Sequence, residues 1–363
     1  MFKLLIKPQL QLASGDERHL LPRIVELLTG IEETGTLAGA TSRMGLSYRH
    51  AWNILQAGNE AFGAPLAESR RGQGARLTAL GNKLVWANRR INARLSPMLD
   101  SLATELEVEL ERALSHAQGA LRIQASHGFA IELLKEWFTS RHIPLDLKYR
   151  SSQESLAALC SGACDVATLH IPIGEFEPEA LAQYARWLRA DSHRLILLAT
   201  RRQGLMVSTG NPLGIGGIAN LPHRQMRFIN RQTGSGTRIL FDLLLRKARI
   251  DSSTIKGYDA VEYTHAAVAA YIASGMADAG FGVETPAKRF GLDFIPLATE
   301  RYFLVCNADA LTSAAITRVI DSLCTTEFKH RINSLAGYDG MQSGTVLTLN
   351  EAFHDIPPAP SHS

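Results

Sequence analysis

The residues best suited to bind something in this sequence form a short polar run, Asn230-Arg231-Gln232-Thr233-Gly234-Ser235-Gly236-Thr237-Arg238. It lies between an apolar segment, Met226 to Asn230, and a helical pattern that starts at Thr237. Glycines there expose backbone N–H groups, Thr233, Ser235 and Thr237 add hydroxyl donors, and the helix dipole favours negative charge at its N-terminus. The chemistry is that of an anion cradle, with Arg231 or Arg238 as counter-charge and at least one of the two free for solvent or an acidic neighbour. A glycine-rich connection that binds nothing is the other reading. Ser126, His127 and His170 lie at the ends of further strand patterns, and His265 opens a helix. Ligands in open α/β sheets gather at the carboxyl ends of strands, so these residues are assigned to the same cleft. Each histidine can serve as a neutral donor or as a pH-dependent cation.

A second cluster is basic. Arg43, Arg49, Arg70, Arg71, Arg76, Lys83, Arg89, Arg90 and Arg94 face only Glu60 and Glu68 between residues 36 and 94. The net charge of the whole chain is only +3, so this is a local basic surface.

The elements that must carry these groups follow from periodicity. Ile24, Leu27, Leu28 and Ile31 recur at helical spacing before Gly35. Thr36 caps a short helix that Gly45 ends, and Ser47 caps a longer one from Tyr48 to Phe62. A plain helical hairpin fits that spacing too, but two short strands with an arginine-studded glycine turn follow over residues 65–78, as a wing would. In a winged helix-turn-helix, Ser47, Tyr48, Arg49, His50 and Asn53 reach base edges or phosphates in the major groove, and Arg70, Arg71 and Arg76 meet the backbone or minor groove. Trp52 is open between packing and base contact.

From Thr78 to about His116 a long helix is expected, kinked or broken near Ser96-Pro97. Its stripe of Leu80, Leu84, Ile91, Leu95, Leu102, Leu106 and Leu110 can be buried by a second copy, making a homodimer suited to a palindromic operator, or by the C-terminal part. From Leu121 strands and helices alternate, which implies a mostly parallel sheet covered by helices. Ser161-Gly162-Ala163-Cys164-Asp165 and Ser274-Gly275-Met276-Ala277-Asp278 share one spacing between a helix and a strand, a faint internal repeat consistent with two lobes.

The expected organisation is multidomain: a winged helix-turn-helix at residues 1–78, a dimerisation helix and linker at 79–118, a two-lobed α/β sensor at 119–350 and a tail at 351–363. With 45% hydrophobic and 20% charged residues the chain is globular rather than disordered. The apolar N-terminal stretch is broken by Lys7 and Pro8, and no uniformly apolar run is long enough to span a bilayer, so a cytoplasmic protein without membrane contact is expected. The four cysteines form no Cys-x-x-Cys pair and read as buried reduced thiols. No phosphate-loop, zinc-hydrolase, nucleophile-elbow or dinucleotide pattern is present, so neither catalysis, a metal nor a cofactor is expected.

Two resemblances sharpen these expectations. Gly35-Thr36-Leu37-Ala38-Gly39-Ala40, then Gly45-Leu46-Ser47-Tyr48-Arg49-His50-Ala51-Trp52, resembles the DNA-binding domain of molybdate-responsive winged-helix regulators, relatives of LysR-type regulators. Ser126-His127-Gly128, residues 165–170, residues 230–238 and Thr264-His265-Ala266-Ala267-Val268 resemble the periplasmic-binding-protein-like domains of LysR-type regulators, and more closely those allied to molybdate-binding proteins. Together they imply a double-stranded-DNA-binding, ligand-responsive transcription regulator sensing a small anion, molybdate or tungstate first and formate second. The molybdate regulators end in small β-barrel domains that are not expected here, so the ligand does not carry over directly. The alternative is a cytoplasmic anion-binding protein, or an enzyme, with a non-sensory winged helix.

Overall fold

The computed structural model describes residues 4–8, 12–13, 19–20, 23–70, 74–113, 120–223 and 225–353. They fall into two compact units, Lys7–Leu95, and Met1–Ile6 with Ser96–Ser363.

The smaller unit opens with β1 (Leu12–Ala13) paired antiparallel to β2 (His19–Leu20). Helices α1 (Ile24–Thr34), α2 (Leu37–Met44) and α3 (Tyr48–Phe62) follow, then a hairpin of β3 (Ala67–Arg70) and β4 (Gly74–Leu77). The capping expected from the sequence is present. Thr36 Oγ1 accepts the Gly39 N–H at 2.9 Å and Ser47 Oγ accepts the His50 N–H at 3.2 Å, each satisfying a donor that the first helical turn leaves open. Ile24, Leu27, Leu28 and Ile31 pack with Leu37, Ala40, Ala51 and Leu55 into one core. The hairpin is pinned to the α1–α2 corner. Ala75 donates to the Gly35 carbonyl at 2.7 Å, and a Cβ on Gly74, at φ 81°, would lie 2.3 Å from that oxygen.

Helix α4 (Ala79–Ala113) continues through Pro97, so of the kink or break expected there the break does not occur. The division between units falls within it, at Leu95–Ser96, rather than at the expected residues 78 and 118. The reason lies in its second half: Thr104 Oγ1 donates to the Leu147 carbonyl at 2.8 Å, and Ser101 Oγ accepts the Tyr149 N–H at 3.0 Å. That half therefore satisfies backbone groups at the edge of the α/β unit. Leu4 also belongs to the larger unit, its N–H donating to Glu107 at 2.6 Å.

The larger unit begins β5 (Leu121–Ala125), α5 (Phe129–Ser140), β6 (Leu145–Tyr149), α6 (Ser152–Cys160), β7 (Val166–Pro172), α7 (Glu177–Ala182), β8 (His193–Val207). It continues β9 (Phe228–Arg231), α8 (Gly236–Lys247), β10 (Val261–Glu262), α9 (His265–Ala273), β11 (Ala279–Val283), α10 (Glu284–Arg289), β12 (Asp293–Asn307). It closes with α11 (Ala314–Cys324), α12 (Thr326–Asn333), β13 (Tyr338–Asp339), β14 (Val346–Leu347) and α13 (Leu349–Ala352).

The strand order is β10-β9-β11-β8-β12-β7-β5-β6, with β13 and β14 also on β8. The sheet is mixed rather than mostly parallel. Strands β5, β6 and β7 pair in parallel, as do β9, β10 and β11, but β8 and β12, fifteen residues each, pair antiparallel along their whole length. One edge of β12 then takes β7, and one edge of β8 takes β11, so this long ladder runs through both lobes. Separate cores cover the two faces of each lobe.

The internal repeat is a duplicated structural device. In the first lobe Asp165 accepts the Arg122 backbone N–H at 2.9 Å and its Nη2 at 2.6 Å; in the second, Asp278 accepts the same two donors from Arg227 at 2.8 and 2.7 Å. Gly162 and Gly275, at φ 73° and 72°, end the preceding helices in the left-handed conformation that glycine takes without strain.

Two expectations are corrected here. Only Cys164 and Cys306 are buried, while Cys160 and Cys324 are exposed. The folded chain also continues past residue 350: α13 extends to Ala352, and Phe353 is buried against Phe303. Among the described residues, no helix is long and apolar enough to cross a membrane.

Candidate functional site

Arg231 ends β9, Gly234 at φ 81° turns the chain, and α8 begins at Gly236. The hydroxyls of this turn have different roles. Ser235 Oγ caps the helix, accepting the Arg238 N–H at 3.2 Å and donating to the Gln232 carbonyl at 2.9 Å. Thr237 Oγ1 accepts from Gln203 Nε2 at 3.1 Å, and Thr233 is exposed. The two candidate arginines also differ. Arg238 donates to Asp242 at 3.0 and 3.1 Å and to the Arg231 carbonyl at 3.3 Å, beneath Tyr258. Arg231 is buried and its side chain donates from Nη2 to the Tyr263 carbonyl at 2.9 Å, while Nε and Nη1 have no partner among the described residues. Burial, and then the nearby Arg201 charge, lowers its pKa to about 9, so it remains a cation at neutral pH.

His170 on β7 and His265 at the start of α9 are both buried. His170 Nδ1 lies 3.4 Å from Ser152 Oγ, its ring packs tilted against Tyr302 with centroids 3.8 Å apart, and its Nε2 has no partner among the described residues. Ser152 Oγ is in turn 3.1 Å from Ser126 Oγ, so Ser126, Ser152 and His170 form a chain of polar contacts. The Val283 N–H points at Nδ1 of His265 from 3.4 Å. Burial, reinforced by Arg201 and Arg231, holds both imidazoles well below their ordinary pKa of 6.5. His127 is engaged elsewhere: its Nε2 is 3.0 Å from Glu132 Oε1 and its ring packs on Tyr149.

The structure adds residues that the sequence reading missed. Arg201 on β8 donates from Nε to Glu300 on β12, reaches Tyr338 Oη at 3.4 Å, and sits over Tyr302. Gln203 Nε2 donates to Glu300 at 2.9 Å as well as to Thr237. Burial alone would lower the Arg201 pKa, but Glu300 with Tyr338 and Tyr302 holds it above the ordinary arginine value. The buried Tyr184 hydroxyl lies beside Gly236. A usable signal was present: Arg201-Arg202-Gln203 interrupts the apolar run from Leu195 to Val207.

In the smaller unit, Ser47, Tyr48, Arg49, His50 and Asn53 are all exposed on α3, as is Arg76 on β4. Arg43 and Arg89 are paired with Glu33 and Glu32, whereas no carboxylate among the described residues pairs with Arg49 or Arg76. Tyr48 and Trp52, 56% and 41% exposed, line a groove of about 320 Å³ with Thr36, Leu37, Gln56 and Ala75. Arg70 ends β3, and Arg71 lies outside the described residues.

Two lobes sharing a pair of long central strands, with the polar cluster midway along their ladder, agree with the match of residues 132–324 to the PBP superfamily domain. The chain belongs to the PBP superfamily. Among characterised and uncharacterised relatives, protein YvgK of Bacillus subtilis (strain 168) is 32% identical over 201 residues, covering 55% of this chain and 64% of YvgK. The molybdenum-pterin-binding protein MopB of Rhodobacter capsulatus is 34% identical over 116 residues, covering 30% of this chain and 41% of MopB. The chain thus spans less than two thirds of either relative. A hydrogen-peroxide-bound mutant of Corynebacterium glutamicum OxyR aligns over 86% of this chain and 93% of that one, with 16% identity and a TM-score of 0.44. For this PBP-superfamily member, Arg231, His170, His265, Arg201 and Gln203 form the polar centre, with Ser126 at its margin.

Proposed function

We propose that this protein is a ligand-responsive, DNA-binding transcription regulator. The observation that carries the reading is a combination within one chain: Arg49 on α3 and Arg76 on the hairpin, exposed and with no carboxylate partner among the described residues, and a PBP-superfamily domain with a buried Arg231 that no described carboxylate pairs. Ser47 to His50 and Asn53 enter the major groove, while Arg70, Arg71 and Arg76 on the wing position the domain on phosphates. Met98, Leu102, Leu106 and Leu110 form an exposed stripe at i, i+4 spacing on α4, which a second copy buries to give a homodimer on a palindromic operator.

In this reading the ligand is a small anion bound by Arg231, the N-terminal turn of α8 and the neutral histidines. Molybdate or tungstate is the first choice, from the sequence resemblance and the molybdenum-related name of MopB; formate is the second. Ligand binding shifts the lobes and hence operator affinity, through whatever difference in affinity the two states have for it. Calorimetry with molybdate, tungstate, sulfate and formate, beside a gel shift of the protein's own promoter fragment, tests both halves. Arg49→Ala with Arg76→Ala abolishes retention at low salt; unchanged retention removes the assigned DNA face, and no heat with any anion removes the anion site.

A further inference from the structure

The charge arithmetic of the polar centre limits the anion it can accept, and this step rests on the anion reading above. Arg201 and Glu300 neutralise each other, with side chains only 4% and 2% exposed. Arg231, more than nine-tenths buried, adds one positive charge, and its Nε and Nη1 have no partner among the described residues. Two imidazoles complete the centre. His265 is held in one tautomer, because the Val283 N–H directed at Nδ1 requires a lone pair there. His170 is not restricted in this way: Nδ1 faces the Ser152 hydroxyl, which can accept as readily as donate, and Nε2 is bare. Around His170 stand Arg201 and Arg231, the Tyr302 ring, Ser152 and, near Gly236, the Tyr184 hydroxyl.

We propose that binding adds a net charge of minus one to this site: a monoanion enters as it is, and a dianion enters only with one proton, taken from solvent onto His170. Without ligand, the two guanidinium charges and burial keep His170 neutral. A dianion placed against Arg231 leaves one negative charge uncompensated in a buried site, which is unfavourable until a neighbouring base is protonated. His170 Nε2, bare and buried beside the same cations, then becomes a donor to the ligand. The proton comes from water or buffer, and no bond within the ligand changes.

The experiment is titration calorimetry of the full chain near pH 7 with molybdate, tungstate and sulfate as dianions and nitrate and formate as monoanions, each in HEPES and in Tris. The dependence of the observed heat on the buffer's ionisation enthalpy counts protons. Expected is uptake of about one proton per dianion and none per monoanion, with dianion affinity falling about tenfold between pH 7 and pH 8. His170→Gln abolishes the proton uptake that accompanies dianion binding. Binding of monoanions alone also supports the proposal. A dianion bound without proton uptake overturns it while leaving the anion site standing, as does unchanged uptake in His170→Gln. The two-buffer comparison on the unaltered chain decides the matter if that variant does not fold. Absence of heat with all five anions removes the proposal together with the anion reading beneath it.

Discussion

Replacing Glu300 by Gln separates charge from shape midway along the ladder of the two long strands. The Gln203 and Arg201 donors keep an amide oxygen to bond, so what disappears is the negative charge beside Arg201. Breaking a buried ion pair from one side costs about 3 to 5 kcal/mol, because the remaining charge is left uncompensated. The retained acceptor places Glu300→Gln near the lower end, and Arg231 close by adds repulsion that was already present. For a unit of this size about 3 kcal/mol lowers the melting temperature by about 6 to 12 °C. The assay is thermal unfolding followed by circular dichroism. Arg201→Met with Glu300→Leu, which removes both charges, recovers most of the loss, since an apolar pair of similar volume does not carry the desolvation penalty. A melting temperature for Glu300→Gln within about 2 °C of the original, or a double variant no more stable than the single one, would refute the claim that uncompensated charge is the cause.

Further outcomes are expected. Leu102→Glu with Leu106→Glu puts two charges into the exposed stripe of α4, and sedimentation should then find a monomer; an unchanged assembly excludes that stripe as the interface. Gly74→Ala forces a Cβ to within 2.3 Å of the Gly35 carbonyl at a left-handed φ, costing about 1 to 3 kcal/mol and weakening operator retention in a gel shift. Thr36→Ala removes the acceptor of the Gly39 N–H and should lower stability by about 1 kcal/mol in denaturant titration. Because His170 and His265 titrate below 6.5 when folded, protons bind first to the unfolded chain. Their contribution is fully present above about pH 6.5 and declines as pH falls below it, by up to about 1.4 kcal/mol per pH unit for each; melting curves from pH 7 to pH 5 measure the slope.

How much of this was readable in advance depended on the range of the interactions. Thr36, Ser47, Gly35 and Gly45 act on backbone groups within one helical turn, and their elements were legible to within a residue or two. The Ser-Gly-x-x-Asp spacing at Asp165 and Asp278 was legible because it is local, whereas the partners of these aspartates, Arg122 and Arg227, lie 43 and 51 positions earlier in the chain. Strands β8 and β12 were not read. Residues 195–199 and 302–306 are apolar and buried one after another, which erases the period-two alternation of a half-buried strand, and polar residues at 200–203 and 299–301 interrupt each run.

Local sequence therefore determined the helices, their caps, the hairpin, the basic face and the turn at Gly234 to Thr237 as a place of exposed donors. Tertiary structure decided which cations in the polar centre are available. Asp242 one turn along α8 engages Arg238, Glu300 ninety-nine residues from Arg201 neutralises it across the ladder, and no carboxylate among the described residues bonds to Arg231. A guanidinium's available charge depends on what lies within a few ångströms of it in space, and only the folded pairing of β8 with β12 sets those distances.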